Sequence, residues 1–191
     1  MADRHFTHLH LHSEYSLLDG AIKLDRLIEF GLQQKLKALA ITDHGNIFGA
    51  VKFFQKCKKA GIRPVLGIES YLTEDVKQKT KTKRYHHAIL LVKNKIGYQN
   101  LCKLISFSFQ KGFYFKPRID YNILEKHSEG LIATTACLGS HTNQLLMEGK
   151  EKEARKWIDW YLRVFGPENF YFEVQPEDQE EQVPINKKLF E

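Results

Sequence analysis

No stretch of this sequence is apolar over the roughly 18 consecutive residues that a membrane-spanning helix needs. The first residues, Met1 to His12, lack the basic-then-apolar order of a secretory leader. Cysteine is scarce: three, widely spaced and odd in number, so a disulfide-stapled miniprotein is excluded and reduced thiols are expected. Only five prolines and twelve glycines occur, which excludes collagen. There is no internal repeat and no low-complexity linker. What is present is ordinary for a globular domain: 191 residues, 42% hydrophobic and 12% aromatic, enough to bury a core without covalent help. Basic residues exceed acidic ones by 29 − 23 = 6. That excess suits a polyanion such as nucleic acid as partner, and equally suits plain solubility.

Strand-like and helix-like stretches alternate. Strand patterns fall at Phe6–His12, Ala38–Thr42, Pro64–Leu72, Ala88–Val92, Leu131–Ala136 and Phe170–Val174. Helical spacing runs over Asp25–Gln34, Phe48–Ala60, Tyr98–Phe109 and, most clearly, Glu151–Phe165, which Gly166 and Pro167 should stop. A last helical pattern starts at Pro184. Six strand–helix units of this kind predict an α/β domain with a mostly parallel sheet or barrel. Lys77–Arg84, with five basic residues, reads as a solvated loop or, less simply, as a phosphate-binding one.

The chemistry-bearing residues collect where those strands end. On a strand, His8, His10 and His12 share one face. Buried imidazoles are costly unless they bind a metal or one another. Asp43 and His44 close the second strand, where parallel α/β folds bind ligands. Glu69 sits between apolar neighbours, where a carboxylate pairs or ligates a cation. Asp19 is a turn residue or a ligand, His86 and His87 open the fourth strand, and Cys137 closes the fifth. Mixed His and carboxylate donors suit Zn²⁺, Mn²⁺ or Fe²⁺ better than Mg²⁺. Paired metals are a phosphoester-cleaving device.

The runs His10-x-His12-Ser13, Thr42-Asp43-His44, Gly67-Ile68-Glu69 and His87 resemble the first motifs of the polymerase-and-histidinol-phosphatase (PHP) superfamily. His8–Ala21, Leu39–Gly45, Gly97–Leu101, Gly112–Arg118 and Gly130–Ala133 are similar, more narrowly, to the N-terminal PHP domain of bacterial DNA polymerase III alpha subunits. The resemblance covers nearly the whole chain. It implies a distorted (β/α)7 barrel with two or three ions, Zn²⁺ or Mn²⁺ or else Fe²⁺, at the strand ends. It places His10, His12, Asp19, His44, Glu69, His87 and Cys137 at ligand positions. His8 stands where the phosphatases usually carry Asp and is not assigned as a ligand. His12 and His44 are expected to act in catalysis, with Asp43 acting from beside the ligands.

The family closes its site with an Asp-x-His pair that does not follow Val174 here. A barrel truncated after its sixth strand is therefore expected, with residues 1–191 an incomplete PHP domain that holds metal weakly and is nearly inactive alone. The implied function is part of a cytoplasmic replicative polymerase (a nucleotidyltransferase), with 3′-5′ exonuclease chemistry at the PHP site. The implied partners are DNA, a proofreading exonuclease subunit and the other holoenzyme subunits, with no membrane. The alternatives are a metal-stabilised scaffold that docks the exonuclease subunit and, less in keeping with the Gly112–Arg118 run, a stand-alone phosphatase.

Overall fold

The computed structural model describes residues 6–79, 85–176 and 180–190; within the basic run Lys77–Arg84, residues 80–84 lie outside the described residues. The chain divides into two compact units, residues 1–69 and 70–191.

The first unit holds α1 (Leu24–Gln33), β1 (Ala38–His44), α2 (Ala50–Lys59) and, through Glu69, the start of β2 (Arg63–Thr73). Apolar residues at helical spacing give each helix one buried stripe: Leu24, Leu27 and Ile28 on α1, and Phe53 and Cys57 on α2. These pack with Leu39, Ile41 and Ile62 into the unit's core. Leu24 and Phe53 are completely buried, each stabilising by about 1.5–3 kcal/mol. Burial pushes the Cys57 thiol up to about 11, and all three cysteines are free. β1 and β2 pair in parallel, from Ala38 opposite Arg63 to His44 opposite Glu69.

The expected first strand, Phe6–His12, does not form. The segment lies beside β1, but the Thr42 hydroxyl replaces a ladder partner: Leu11 N–H donates to Thr42 Oγ1 (2.8 Å), while the Leu11 carbonyl accepts from Thr42 N–H (2.8 Å). The next local pairing is a single bridge, Ser13 to Ile22. The second helix also starts later than its pattern. Phe48 sits in the preceding turn, its N–H donating to Asn46 Oδ1 (3.0 Å).

The second unit continues β2 and adds β3 (His86–Val92), α3 (Lys95–Gln110), β4 (Phe113–Tyr114), β5 (Lys116–Asp120), α4 (Tyr121–Lys126), β6 (Leu131–Thr134), α5 (His141–Met147), α6 (Glu151–Phe165), β7 (Phe170–Tyr171) and α7 (Gln182–Phe190). Its strand order is β4-β5-β2-β3-β6-β7. β2 with β5 and β6 with β7 are parallel. β3 with β6 and the β4–β5 hairpin are antiparallel. The α/β alternation is as the sequence predicts, and α6 has the predicted bounds. The last strand is shorter than Phe170–Val174, because beyond Tyr171 side chains replace the ladder: Glu173 N–H donates to Thr135 Oγ1 (2.8 Å) and Thr134 Oγ1 donates to Glu173 Oε2 (2.6 Å).

Two glycines decide how α3 packs. A Cβ on Gly97 would lie 1.8 Å from the Gly130 carbonyl oxygen, and one on Gly130, whose φ is 74°, would lie 2.4 Å from the Gly97 nitrogen. Backbone therefore touches backbone where α3 meets the turn before β6. Asn94 Oδ1 accepts from Gly97 N–H (3.0 Å), and Asn100 Nδ2 donates to the Glu129 carbonyl (2.9 Å). These contacts explain physically why the Gly97–Leu101 and Gly130–Ala133 runs go together.

Candidate metal centre

In the first unit the parallel register sets His44, the last residue of β1, directly opposite Glu69. The Glu69 side chain is only 2% exposed, and three imidazoles converge on it. His44 Nδ1 lies 2.7 Å from Oε2, His12 Nε2 lies 3.3 Å from Oε2, and His10 Nε2 lies 3.6 Å from Oε1. The other His44 nitrogen, Nε2, lies 2.9 Å from Asp19 Oδ2. The His12 and His44 rings stack at 4.1 Å, and His10 meets His12 edge-on at 5.1 Å. His10 and His12 reach this face without a strand to alternate them. His8 is exposed, with its ring against Phe6.

The imidazole states follow from their partners. His12 Nδ1 faces the Thr42 carbonyl at 2.9 Å. A carbonyl only accepts, so Nδ1 carries the hydrogen, and a neutral His12 turns the Nε2 lone pair toward a buried carboxylate. Two electron-rich atoms in that arrangement require a proton or a cation between them. Burial alone would lower the His44 pKa. The hydrogen bond and charge of Glu69, then those of Asp19, outweigh it, and the pKa is raised above 6.5.

Asp43 faces away from this cluster and is 1% exposed. Its Oδ1 accepts from Ser13 N–H (2.6 Å) and Ser16 Oγ (2.7 Å), and its Oδ2 accepts from Ser13 Oγ (2.8 Å). Ser16 Oγ in turn accepts from His44 N–H (3.1 Å). One carboxylate thus ties the turn that carries Asp19 to the strand end that carries His44. Ser13, Ser16 and Thr42 are the residues that sequence reasoning did not assign to the site. The signal for them was hydroxyls one to three residues from ligand-type side chains. Asp43→Ala removes bonds to a buried charge and strands both serines. It is expected to cost about 2–4 kcal/mol, read as a lower urea midpoint with an unchanged slope.

The second unit brings His87 and Cys137 together, Nδ1 to Sγ at 3.4 Å. His87 lies at the start of its strand, whereas His44 closes β1 and Cys137 follows the end of β6. The antiparallel pairing of β3 with β6, Ile89 opposite Thr134, accounts for this: the amino end of β3 lies beside the carboxyl end of β6. The neighbouring His86 points to the other face of the strand, where it stacks on His141 at 4.0 Å. Burial first, then the nearby His141 and His87, push its pKa down to about 4.

The donor set fits transition metal ions. In the first unit, among the described residues, His10, His12 and Glu69 offer ligand atoms within 4.8 Å of one another, and so do His12, Asp19 and His44. Imidazole nitrogens and carboxylate oxygens are the ligands that Zn²⁺ and Mn²⁺ take.

The PHP domain model matches residues 8–177. The chain is 46% identical over 188 residues to DNA polymerase III subunit alpha of Borreliella burgdorferi, covering 96% of this chain and 16% of that protein. It is 43% identical over 195 residues to the Aquifex aeolicus subunit, covering 97% and 17%, and 40% identical over 193 residues to that of Thermus aquaticus, covering 97% and 16%. The chain thus spans about a sixth of the length of these relatives. A solved Bifidobacterium adolescentis structure, assigned as a metal-dependent phosphoesterase, shares the fold at a TM-score of 0.53 and 13% identity, covering 96% of this chain and 84% of that one. The match over 8–177 takes in every ligand-type residue from His10 to Cys137, and the chain belongs to the PHP domain family.

Proposed function

We propose that this chain is part of a DNA polymerase III alpha subunit and that its PHP site hydrolyses phosphodiesters at DNA 3′ ends. The observation that carries the metal-site reading is the buried Glu69 carboxylate faced by nitrogens of His10, His12 and His44. The two donor trios share His12, which suits two neighbouring ions, Zn²⁺ or Mn²⁺, held by His10, His12, Asp19, His44 and Glu69. His87 and Cys137 form a further ligand pair in the second unit. When bound, such ions supply Lewis acidity that activates water and offsets charge on a phosphate. The chain's own residues do the rest. Thr42 fixes the His12 tautomer, Glu69 orients three imidazoles, and Asp43 holds the Asp19 turn against His44. Asp43 is thus a positioning residue. DNA and the holoenzyme subunits, including a proofreading exonuclease, are the partners of the whole polymerase.

The test is shortening of a 5′-labelled single-stranded oligonucleotide by the alpha subunit that carries this sequence, stripped of metal and then reloaded. Metal-dependent shortening, abolished by His12→Ala, is expected. Shortening that survives both His12→Ala and chelation comes from a contaminating nuclease and removes the exonuclease reading, leaving a metal-stabilised scaffold for the exonuclease subunit.

Proton competition gives a second expected result. Ligation needs neutral imidazole, and His44 holds its proton to above pH 6.5. Metal affinity should therefore fall as pH drops through a value above 6.5. The metal-free chain should behave in the opposite sense. A raised folded-state pKa contributes stability fully present below about 6.5 and lost as pH rises through the folded value. Urea unfolding of the metal-free and metal-loaded chain across this range reads both trends. Parallel pH profiles for the two forms would contradict the assignment of His44 as a ligand.

A further inference from the structure

The segment between β6 and α5 carries Cys137, and it is held more tightly than a plain connection requires. Ala136, directly before the cysteine, is 1% exposed and holds a φ of 51°. A buried alanine in a left-handed conformation is strained, and such strain persists where the surroundings enforce it. Here they do. The Thr134 hydroxyl accepts from Ala136 N–H (3.1 Å) and donates to Glu173 Oε2 (2.6 Å). Beyond Ala136, the Cys137 carbonyl accepts from Ser140 N–H (3.0 Å) and from Asn143 Nδ2 (3.0 Å). Asn143 is completely buried, and its own N–H donates to Ser140 Oγ (3.1 Å). Bonds on both sides of Cys137 therefore fix its backbone.

Gly139 lies inside this frame and meets both ligand-type residues of the second unit. Its N–H donates to Cys137 Sγ (3.4 Å). A thiolate, the form of cysteine that ligates a metal, accepts such a bond more strongly than a thiol does. The Gly139 carbonyl accepts from His87 N–H (3.0 Å), which ties the start of β3 to the frame. The His87 ring then fills the space that a side chain on Gly139 would need. A Cβ there would lie 2.9 Å from Nδ1, 3.1 Å from Cγ and 3.2 Å from Cε1. Nδ1 is the nitrogen that faces Cys137 Sγ at 3.4 Å. Gly139 does not hold a positive φ. Backbone freedom thus gives no reason for a glycine at this position, and the close approach of the imidazole does. The frame cannot yield to an added methyl, whereas the imidazole can turn about its side-chain bonds.

We propose that Gly139 is a positioning residue that makes His87 and Cys137 one ligand pair. Its N–H orients the sulfur, and its missing side chain lets the His87 nitrogen reach that sulfur. This rests on the reading of His87 and Cys137 as metal ligands and adds the residue that brings them together.

The test is protection of Cys137 from iodoacetamide as Zn²⁺ is added to the metal-free alpha subunit that carries this sequence. Alkylation is read on the Cys137 peptide by mass spectrometry, and the variant is Gly139→Ala. Hydrogen exchange over residues 138–147, measured on the same metal-free samples, reads whether the frame survives. In the unaltered protein Zn²⁺ should slow alkylation. In the variant the Zn²⁺ concentration for half protection should rise at least about tenfold, as it does when a partner that orients a ligand is lost. Hydrogen exchange should be unchanged. Half protection at the same Zn²⁺ concentration in both proteins overturns the proposal and leaves the ligand pair standing. Faster exchange in the variant also overturns it, because Gly139 then serves packing alone. Failure of Zn²⁺ to protect Cys137 in the unaltered protein counts against the ligand pair itself, and the proposal falls with it.

Discussion

Replacing Glu69 by Gln is expected to lower Zn²⁺ affinity by at least about a hundredfold, since even partners outside the ligand shell are worth about 10–100-fold. Glu69 lies within reach of His10, His12 and His44. The amide has the same size, so packing against the strand is preserved, but the buried negative charge is gone. An NH₂ group now turned toward Nε2 of His12 satisfies that lone pair in place of a cation. At a pH where His44 is neutral, the metal-free Glu69→Gln chain should therefore unfold at about the same urea concentration as the unaltered chain, and at lower pH it should lose the stability that the Glu69 charge lends a protonated His44, while isothermal titration shows binding lost. Retained affinity would remove Glu69 from the centre.

Gly97→Ala is expected to destabilise the second unit by about 3–5 kcal/mol, at the upper end of what single substitutions do. The added carbon would fall 1.8 Å from the Gly130 carbonyl oxygen. Neither backbone can yield alone, because Asn94 caps α3 at Gly97 and Asn100 holds the Glu129 carbonyl. Alanine is otherwise the better helix former, by about 1 kcal/mol, so local propensity predicts the opposite sign. Urea unfolding decides between them. A neutral or stabilising result would mean that α3 does not touch the turn before β6.

How much of this was legible in the sequence depended on the residue. The strands carrying His44 and Glu69 stood out because an ionisable side chain closes one apolar run and interrupts the other. Their direct pairing did not, since register depends on how two distant strands align. Helix α6 was bounded correctly because its apolar stripe repeats over four turns and Gly166 ends it with a φ of 78°. Helices α4 and α5 were missed because they are too short for a period to show. Their caps were present as signals: Asp120 Oδ1 accepts from Ile123 N–H (2.9 Å) and Ser140 Oγ accepts from Asn143 N–H (3.1 Å).

The β4–β5 hairpin was also missed. It turns on Phe115 at a φ of 57°, where a glycine or asparagine would have announced it. The alternating histidines of 8–12 suggested a strand, yet side-chain bonds to Thr42 hold that segment instead. The position of His87 at a strand start made sense only once β3 proved antiparallel to β6. The ligand positions themselves came from resemblance to the PHP motifs, which periodicity alone does not supply.

The central claim is that buried Glu69 and the imidazoles around it are a metal centre. Anomalous X-ray diffraction at the zinc and manganese edges, on crystals grown with each ion, tests it most directly. Anomalous peaks are expected within bonding distance, about 2.0–2.2 Å for zinc, of nitrogens of His10, His12 and His44 and oxygens of Glu69 and Asp19. Crystals soaked in either ion that show no peak within reach of Glu69 would contradict it.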